Sequence, residues 1–220
     1  MSKKIFLIFA TIFCFAASSI AADPDVIKLP PPDLKGGKSL MQSLQERKTS
    51  RSFGSKKLPP EVLSGLLWAA CGINRPESGK RTAPSALNWQ EIDVYVALEE
   101  GLYLYNAKTH ALDPVLKKDL RKNTVALLQP AKTQVVNAPV QLIYVANYSK
   151  MGLGAEEDKI IYSSVDAGFI AQNVYLYCAS AGLNTVVRGM VDKKRLANDM
   201  QLRDQQKIIL VHTVGYPQPK

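Results

Sequence analysis

The apolar positions of this 220-residue chain fall into well-separated runs. The first, Ile5 to Ala17, carries no charge. Lys3 and Lys4 precede it, and Ser19-Ile20-Ala21-Ala22 follows with small residues for cleavage. Such a run is too short and wrongly flanked for a spanning helix and reads as a secretory signal. Residues 1–22 are therefore expected to be removed. The mature protein is expected to be periplasmic or secreted, with no stable membrane insertion after cleavage. Residues 23–38 read as an extended leader, because Pro30-Pro31-Pro32 favours polyproline geometry and Gly36-Gly37 frees the chain before the first helix. The folded domain is expected over residues 39–220.

Within that domain Leu40, Met41 and Leu44 recur at helical spacing. A second helix opens at Pro59-Pro60, carries a stripe of Val62, Leu63, Leu66, Leu67 and Ala70, and stops at Gly72. Asn74 to Gly79 reads as a turn-rich loop. Ile92–Leu98 and Leu102–Tyr105 read as strands joined by the tight turn Glu99-Glu100-Gly101. Leu116 to Leu128 is helical in pattern. Val140 to Ala146 is the most apolar run and predicts a central strand. The longest helix is expected over Lys159 to Ala181, with Gly182 as its stop. A strand over Leu183–Val187, a short helix over Lys193–Met200 and a last strand over Ile208–Val214 complete the order. A hairpin without regular βαβ alternation argues for an α+β fold.

Composition narrows the function. The formal charge of +9 falls to +7 once Lys3 and Lys4 are gone. A moderately basic chain suits an anionic partner, but no run of five basic residues occurs, which argues against a nucleic-acid arm. Cys71 and Cys178 make no disulfide framework; both read as buried small hydrophobes, with a single bridge between them left open. His110 and His212 lack orienting partners and read as structural. No His, Cys and carboxylate cluster has metal-ligand spacing, and no Gly-x-Ser-x-Gly elbow is present.

Two stretches carry candidate chemistry. Arg47-Lys48-Thr49-Ser50-Arg51-Ser52-Phe53 leaves the first helix with three cations and three hydroxyls. Arginine offers bidentate donors, hydroxyls single ones and lysine a point charge, a set able to surround a phosphate. Helix-end cations that merely complement the dipole are the simpler reading. Arg81-Thr82-Ala83-Pro84-Ser85-Ala86-Leu87-Asn88-Trp89-Gln90 combines a proline-fixed turn, small residues and two carboxamides just before a strand. Small residues let a backbone approach a flat ligand, and carboxamides can donate to and accept from a heterocycle edge. An ordinary polar loop would look much the same.

Together these stretches make the chain resemble the nitroreductase family of FMN-dependent oxidoreductases from about Ser39 to Pro217. Arg47, Lys48, Thr49, Arg51 and Phe53 match its basic-hydroxyl cluster; Pro84, Ser85, Asn88 and Gln90 match its Pro-Ser turn and amide pair. Leu66 to Asn74 resembles the family's helix leading to the flavin loop, and Asp166, Gly168, Gln172 and Asn173 its long central helix. The hairpin with Tyr103, Tyr105 and His110 is similar to the branch that includes azoline-oxidising dehydrogenases. The resemblance implies a central, mostly antiparallel sheet flanked by helices, with the long helix at its centre. It implies FMN as cofactor, a homodimer, and ping-pong hydride transfer through flavin N5 to or from a small organic substrate, with no side chain as nucleophile. It places Arg47 at the phosphate, with Lys48 and Thr49 along the phosphate and ribityl chain and Arg51 nearer the ring. Pro84, Ser85 and Ala86 would line the approach, Asn88 and Gln90 the pyrimidine edge, and Gly189 would offer its backbone N–H to N5. NAD(P)H, the usual donor, is scarce outside the cytoplasm. Two other readings stand beside this one: a non-redox flavin carrier or FMN-consuming enzyme on the same fold, and a cofactor-free anion-binding protein.

Overall fold

The computed structural model describes residues 26–125 and 134–219; the predicted signal segment lies outside them. One seven-stranded sheet dominates. Its strands are β1 (Ile27–Lys28), β4 (Ile92–Ala97), β5 (Leu102–Asn106), β6 (Ala111–Leu116), β7 (Val140–Asn147), β8 (Asn184–Arg188) and β9 (Gln206–Gly215). They run in the order β1-β6-β5-β4-β7-β9-β8, with every neighbouring pair antiparallel. A separate two-stranded ribbon, β2 (Ile73–Arg75) with β3 (Lys80–Arg81), occupies the loop predicted at 74–79. The helices are α1 (Leu40–Glu46), α2 (Pro60–Cys71), α3 (Glu156–Ala181) and α4 (Lys193–Asp199).

β7 shows why the sheet sits in the middle. All eight of its residues are buried, as expected of a strand covered on both faces. Side chains alternate along a strand. Val140, Leu142, Tyr144 and Ala146 therefore join the core shared with α2 and α3. Ile143 and Val145 point the other way, into a second core closed by Leu196 and Met200.

α3 begins with Glu156, Glu157 and Asp158 in its first turn, where carboxylates complement the helix dipole. It ends at Gly182, whose φ of 68° is left-handed and whose N–H donates to the Cys178 carbonyl. A Cβ there would meet nothing within 4 Å, so a substitution costs only backbone strain. Gly182→Ala should lose about 1 kcal/mol in urea denaturation and Gly182→Asn less; a neutral alanine variant would contradict this account of the cap.

Three details differ from the sequence expectation. The leader is joined to the fold from Ile27 onward: Ile27 and Lys28 pair with Leu112 and Ala111, and Leu29 is buried. A polar relay fixes the next residue. The Ser64 hydroxyl donates to the Pro30 carbonyl (2.5 Å) and lies 2.7 Å from His110 Nε2. Tyr105 Oη lies 2.9 Å from His110 Nδ1. With Ser64 spending its proton on Pro30, Nε2 carries the imidazole proton and Nδ1 accepts from tyrosine. His110, expected in a surface turn, is thus half-buried and structural, and desolvation lowers its pKa.

β6 is the second difference. Pro114 hides it from a propensity reading. Yet β1 reaches only Ala111 and Leu112, so Pro114 lies where the sheet has become an edge, which tolerates proline. Third, the described part of the predicted 116–128 helix is not α-helical: Leu116 ends β6, and Arg121–Thr124 forms one 3-10 turn. Asp119 takes the Arg121 N–H and guanidinium, local bonds that compete with helix propagation. The remainder of that prediction lies outside the described residues.

Candidate functional site

α1 stops at Arg47, whose N–H still donates to the Ser43 carbonyl while its φ and ψ of −56° and 121° turn the chain extended. The segment then runs beside β8. Ser50 N–H donates to the Thr185 carbonyl (2.9 Å), Asn184 Nδ2 to the Ser52 carbonyl (2.7 Å) and Gly54 N–H to the Tyr216 carbonyl (3.0 Å). Phe53 anchors its end in an apolar cluster with Val135, Ala138 and Val186. Pinned by its backbone and one aromatic, the segment leaves Arg47 half-exposed and Lys48, Thr49 and Arg51 exposed.

Tyr175 of α3 is the floor of this cluster. The Arg47 guanidinium carbon sits 5.4 Å from its ring centre, a favourable cation–π contact. Its hydroxyl accepts the Val187 N–H (3.1 Å) and lies 3.0 Å from Thr49 Oγ1. Lys48 and Tyr175 also border a cavity of about 350 Å³ closed by Lys38, Cys178, Asn184 and Thr185. Among the described residues Arg47, Lys48 and Arg51 pair with no carboxylate. Three unneutralised cations on one short segment are a donor set that fits a phosphate dianion.

The second stretch folds over the other end of α3. Thr82 Oγ1 donates to the Trp68 and Ala69 carbonyls, at 3.1 Å each, tying the chain to the last turn of α2. After Pro84 the loop tightens: Ser85 Oγ accepts the Gln90 N–H (3.0 Å), and Asp166 Oδ2 of α3 accepts the Ala86 N–H (2.9 Å). Leu87, Asn88 and Gln90 hold φ values of 49°, 55° and 49°. Non-glycine residues rarely adopt that region, and such strain persists only where surrounding structure over-determines it. The Gln90 carboxamide is used inside the loop, accepting from Arg81 Nε and donating to the Gly79 carbonyl and Asn88 Oδ1. Leu87 and Asn88 point outward.

The two stretches are brought together by one element. Asp166 and Tyr175 stand nine residues apart on α3, an axial separation of about 14 Å. Gly189 lies just past β8, exposed; a Cβ there would meet only Leu210 Cδ2 at an ordinary 3.6 Å. The fold itself therefore does not demand glycine at 189.

Several polar residues that the sequence reading left without a role are buried nearby. Arg188, 8% exposed, donates to the Thr124 carbonyl, Gln141 Oε1 and Thr213 Oγ1, and burial pulls its pKa down to about 10. Glu91 is fully buried, and among the described residues neither carboxyl oxygen has a hydrogen-bond partner. His212 stacks on Tyr175 with centroids 4.9 Å apart and meets Tyr144 Oη through Nδ1 at 2.9 Å. Cys71 and Cys178 are free and buried, and desolvation pushes their thiols up to about 11 and about 12. Thiols so far above neutrality are poor nucleophiles. Among the described residues no group of three or more His, Cys, Asp or Glu could hold a metal ion, and no helix is long and apolar enough to cross a membrane.

Comparison with known proteins bears on the family and the fold. The family model described as "Nitroreductase family" matches residues 44–216, a span that includes both stretches. "Putative nitroreductase MJ1384" of Methanocaldococcus jannaschii is 28% identical over 192 residues, covering 84% of this chain and 96% of its own. The crystal structure of a putative nitroreductase from Ralstonia eutropha JMP134 is 42% identical, covers 89% of this chain and 90% of that one, and superposes with a TM-score of 0.82. A likeness of fold alone, at 17% identity and a TM-score of 0.70, extends to a chain of the E. coli microcin synthetase McbBCD complex, over 99% of this chain and 79% of that one. With its antiparallel sheet, its long α3 and a match across most of its length, the chain belongs to the nitroreductase family of oxidoreductases.

Proposed function

We propose that the protein is an exported FMN-dependent oxidoreductase that works as a homodimer, exchanging hydride with a small organic substrate in a ping-pong cycle. One observation carries the cofactor assignment: three cations with no carboxylate partner among the described residues and a strained, carboxamide-bearing loop are docked about 14 Å apart on the same helix. That arrangement suits an elongated ligand with a phosphate at one end and a flat heterocycle at the other. Bound flavin would supply the hydride chemistry.

The protein's own contribution is grip and electrostatics. Arg47, backed by the Tyr175 ring, is the first phosphate donor, with Lys48 and Thr49 beside it. Arg51 supplies positive charge nearer the ring, where it favours an anionic reduced flavin. Pro84, Ser85 and Ala86 line the approach, and Asn88 forms the polar edge, held from inside the loop by the Gln90 carboxamide. Gly189 lets a backbone donor come close.

An uninterrupted face of α3 supports the dimer. Ile161, Val165 and Phe169 recur every four residues, 58%, 48% and 43% exposed, and α1 adds exposed Leu40 and Met41. Contiguous exposed apolar surface marks association sites. Val165→Asp should shift the protein from dimer to monomer in sedimentation; a wild type that is already monomeric removes the dimer. Export is supported by the pattern of residues 1–22, and a periplasmic or secreted protein with a mature terminus near Asp23 is the expected result.

The cofactor test is direct. The purified protein should be yellow, or become so on adding FMN, and should bleach on anaerobic addition of NADH, NADPH or a chemical donor. Bound flavin that no donor reduces would favour the carrier or FMN-consuming reading. A colourless protein that takes up no FMN would leave only anion binding.

A further inference from the structure

Glu91 is the least satisfied polar residue at this site. It stands between the strained loop and β4 with no solvent exposure and, among the described residues, with neither Oε1 nor Oε2 hydrogen-bonded. Its backbone carbonyl accepts the Asn147 N–H at 2.9 Å, fixing it to the end of β7. Facing it is the Asp166 carboxyl of α3, 3% exposed, whose Oδ2 takes the Ala86 N–H.

Two carboxyl groups in one dry space cannot both ionise. Asp166 accepts a backbone N–H, whereas neither Glu91 oxygen is hydrogen-bonded among the described residues, which makes Glu91 the natural home of a proton. Desolvation, reinforced by the Asp166 charge, pushes Glu91 up to about 7. The other charged groups around the pair do not replace it. Lys150, from the turn after β7, is committed to Asp93 and the Gln90 carbonyl. Arg81 and the Cys71 thiol lie across a small cavity bordered by Asp166, and Arg81 is bound to Gln90.

We infer that Glu91 and Asp166 share one proton and act as a latch, holding residues 85–90 in their left-handed conformation and so positioning the edge that reads the heterocycle. Glu91 acts through Asp166 and the Ala86 N–H rather than by touching a ligand; both acids are positioning residues. Losing the proton sets two negative charges against each other, frees the Asp166–Ala86 bond to break, and lets Leu87, Asn88 and Gln90 relax. The link to heterocycle binding rests on the flavin reading above; the latch itself does not.

Two measurements separate those claims. FMN affinity of the wild type and of Glu91→Gln, where an isosteric amide keeps a donor toward Asp166, is compared at pH 6 and pH 8. Taking the ratio of the two proteins cancels the titration of the FMN phosphate. The wild type should weaken about tenfold relative to Glu91→Gln, because the binding-competent fraction falls as the proton leaves. A ratio constant with pH overturns the positioning role. In the wild-type apoprotein, the exchange protection of the Ala86 amide should fall between the same two pH values while that of Leu142 in β7 holds. Unchanged Ala86 protection overturns the latch whether or not FMN binds. A pH-dependent Ala86 amide in a protein that takes up no FMN supports the latch and sinks the flavin reading instead.

Discussion

Arg47→Ala/Arg51→Ala should purify colourless and bind added FMN at least 100-fold more weakly than the wild type. Each charge-assisted hydrogen bond lost costs about 1.5–3 kcal/mol, and every 1.4 kcal/mol is about tenfold in affinity. The fold should survive, since Arg51 is exposed and Arg47 loses only its contact with the Tyr175 ring, worth about 0.5–1 kcal/mol. Thermal melting of the apoprotein supplies that control. Lysine at both positions should restore part of the affinity, because charge returns without the bidentate fork. If the alanine variant binds FMN within tenfold of wild type, the phosphate is held elsewhere and this placement of the cofactor is wrong.

The second large effect is on stability in acid. His212 is fully buried on β9, with Tyr144 at Nδ1 and, among the described residues, no partner at Nε2. Desolvation, then the nearby Arg188 charge, lowers its pKa to about 3. The folded state thus resists a proton that the unfolded chain accepts near pH 6.5. Stability from this residue is complete above that pH and is lost as pH falls toward 3. Lowering the pH from 7 to 4.5 should cost the wild type about 3 kcal/mol more than His212→Gln, because each tenfold rise in proton activity below pH 6.5 favours the unfolded chain by about 1.4 kcal/mol. The comparison with the variant is needed because Glu91, raised rather than lowered, works in the opposite direction over the same range and is present in both proteins. Urea denaturation at the two pH values checks it. Equal losses in the two proteins would mean that His212 is protonated in the fold.

Much of the fold was legible because its apolar runs are long and their stops explicit. Val140–Ala146 reads as a core strand from hydropathy alone, and Pro60, Gly72 and Gly182 mark helix ends through backbone geometry that neighbours do not alter. β6 was hidden because Pro114 is forbidding in an interior strand and harmless at an edge, and only pairing decides which applies. The leader's pairing was invisible for the same reason: Ile27 and Lys28 become a strand only because Ala111 and Leu112 lie beside them. The basic cluster and the Pro-Ser loop could be found because each is compact in sequence. Tyr175 and Asp166 support them from distant positions and Glu91 from just past the loop, and nothing local marks a tyrosine as the floor of a cationic cluster or a glutamate as dry. Gln90 shows the converse. Its type suggested an outward reader, but its carboxamide is used to build the loop.

Because Asp166 and Tyr175 belong to one continuous helix, the distance between the two proposed gripping points is set by helical pitch rather than by the irregular segments docked on it. α3 works as a ruler. Lengthening or recolouring either loop leaves the measured interval intact, whereas inserting a single residue between those two positions would rotate one grip about 100° away from the other. Discrimination by ligand length would then be inherited from the most rigid part of the molecule, leaving the loops free to diverge in what they accept.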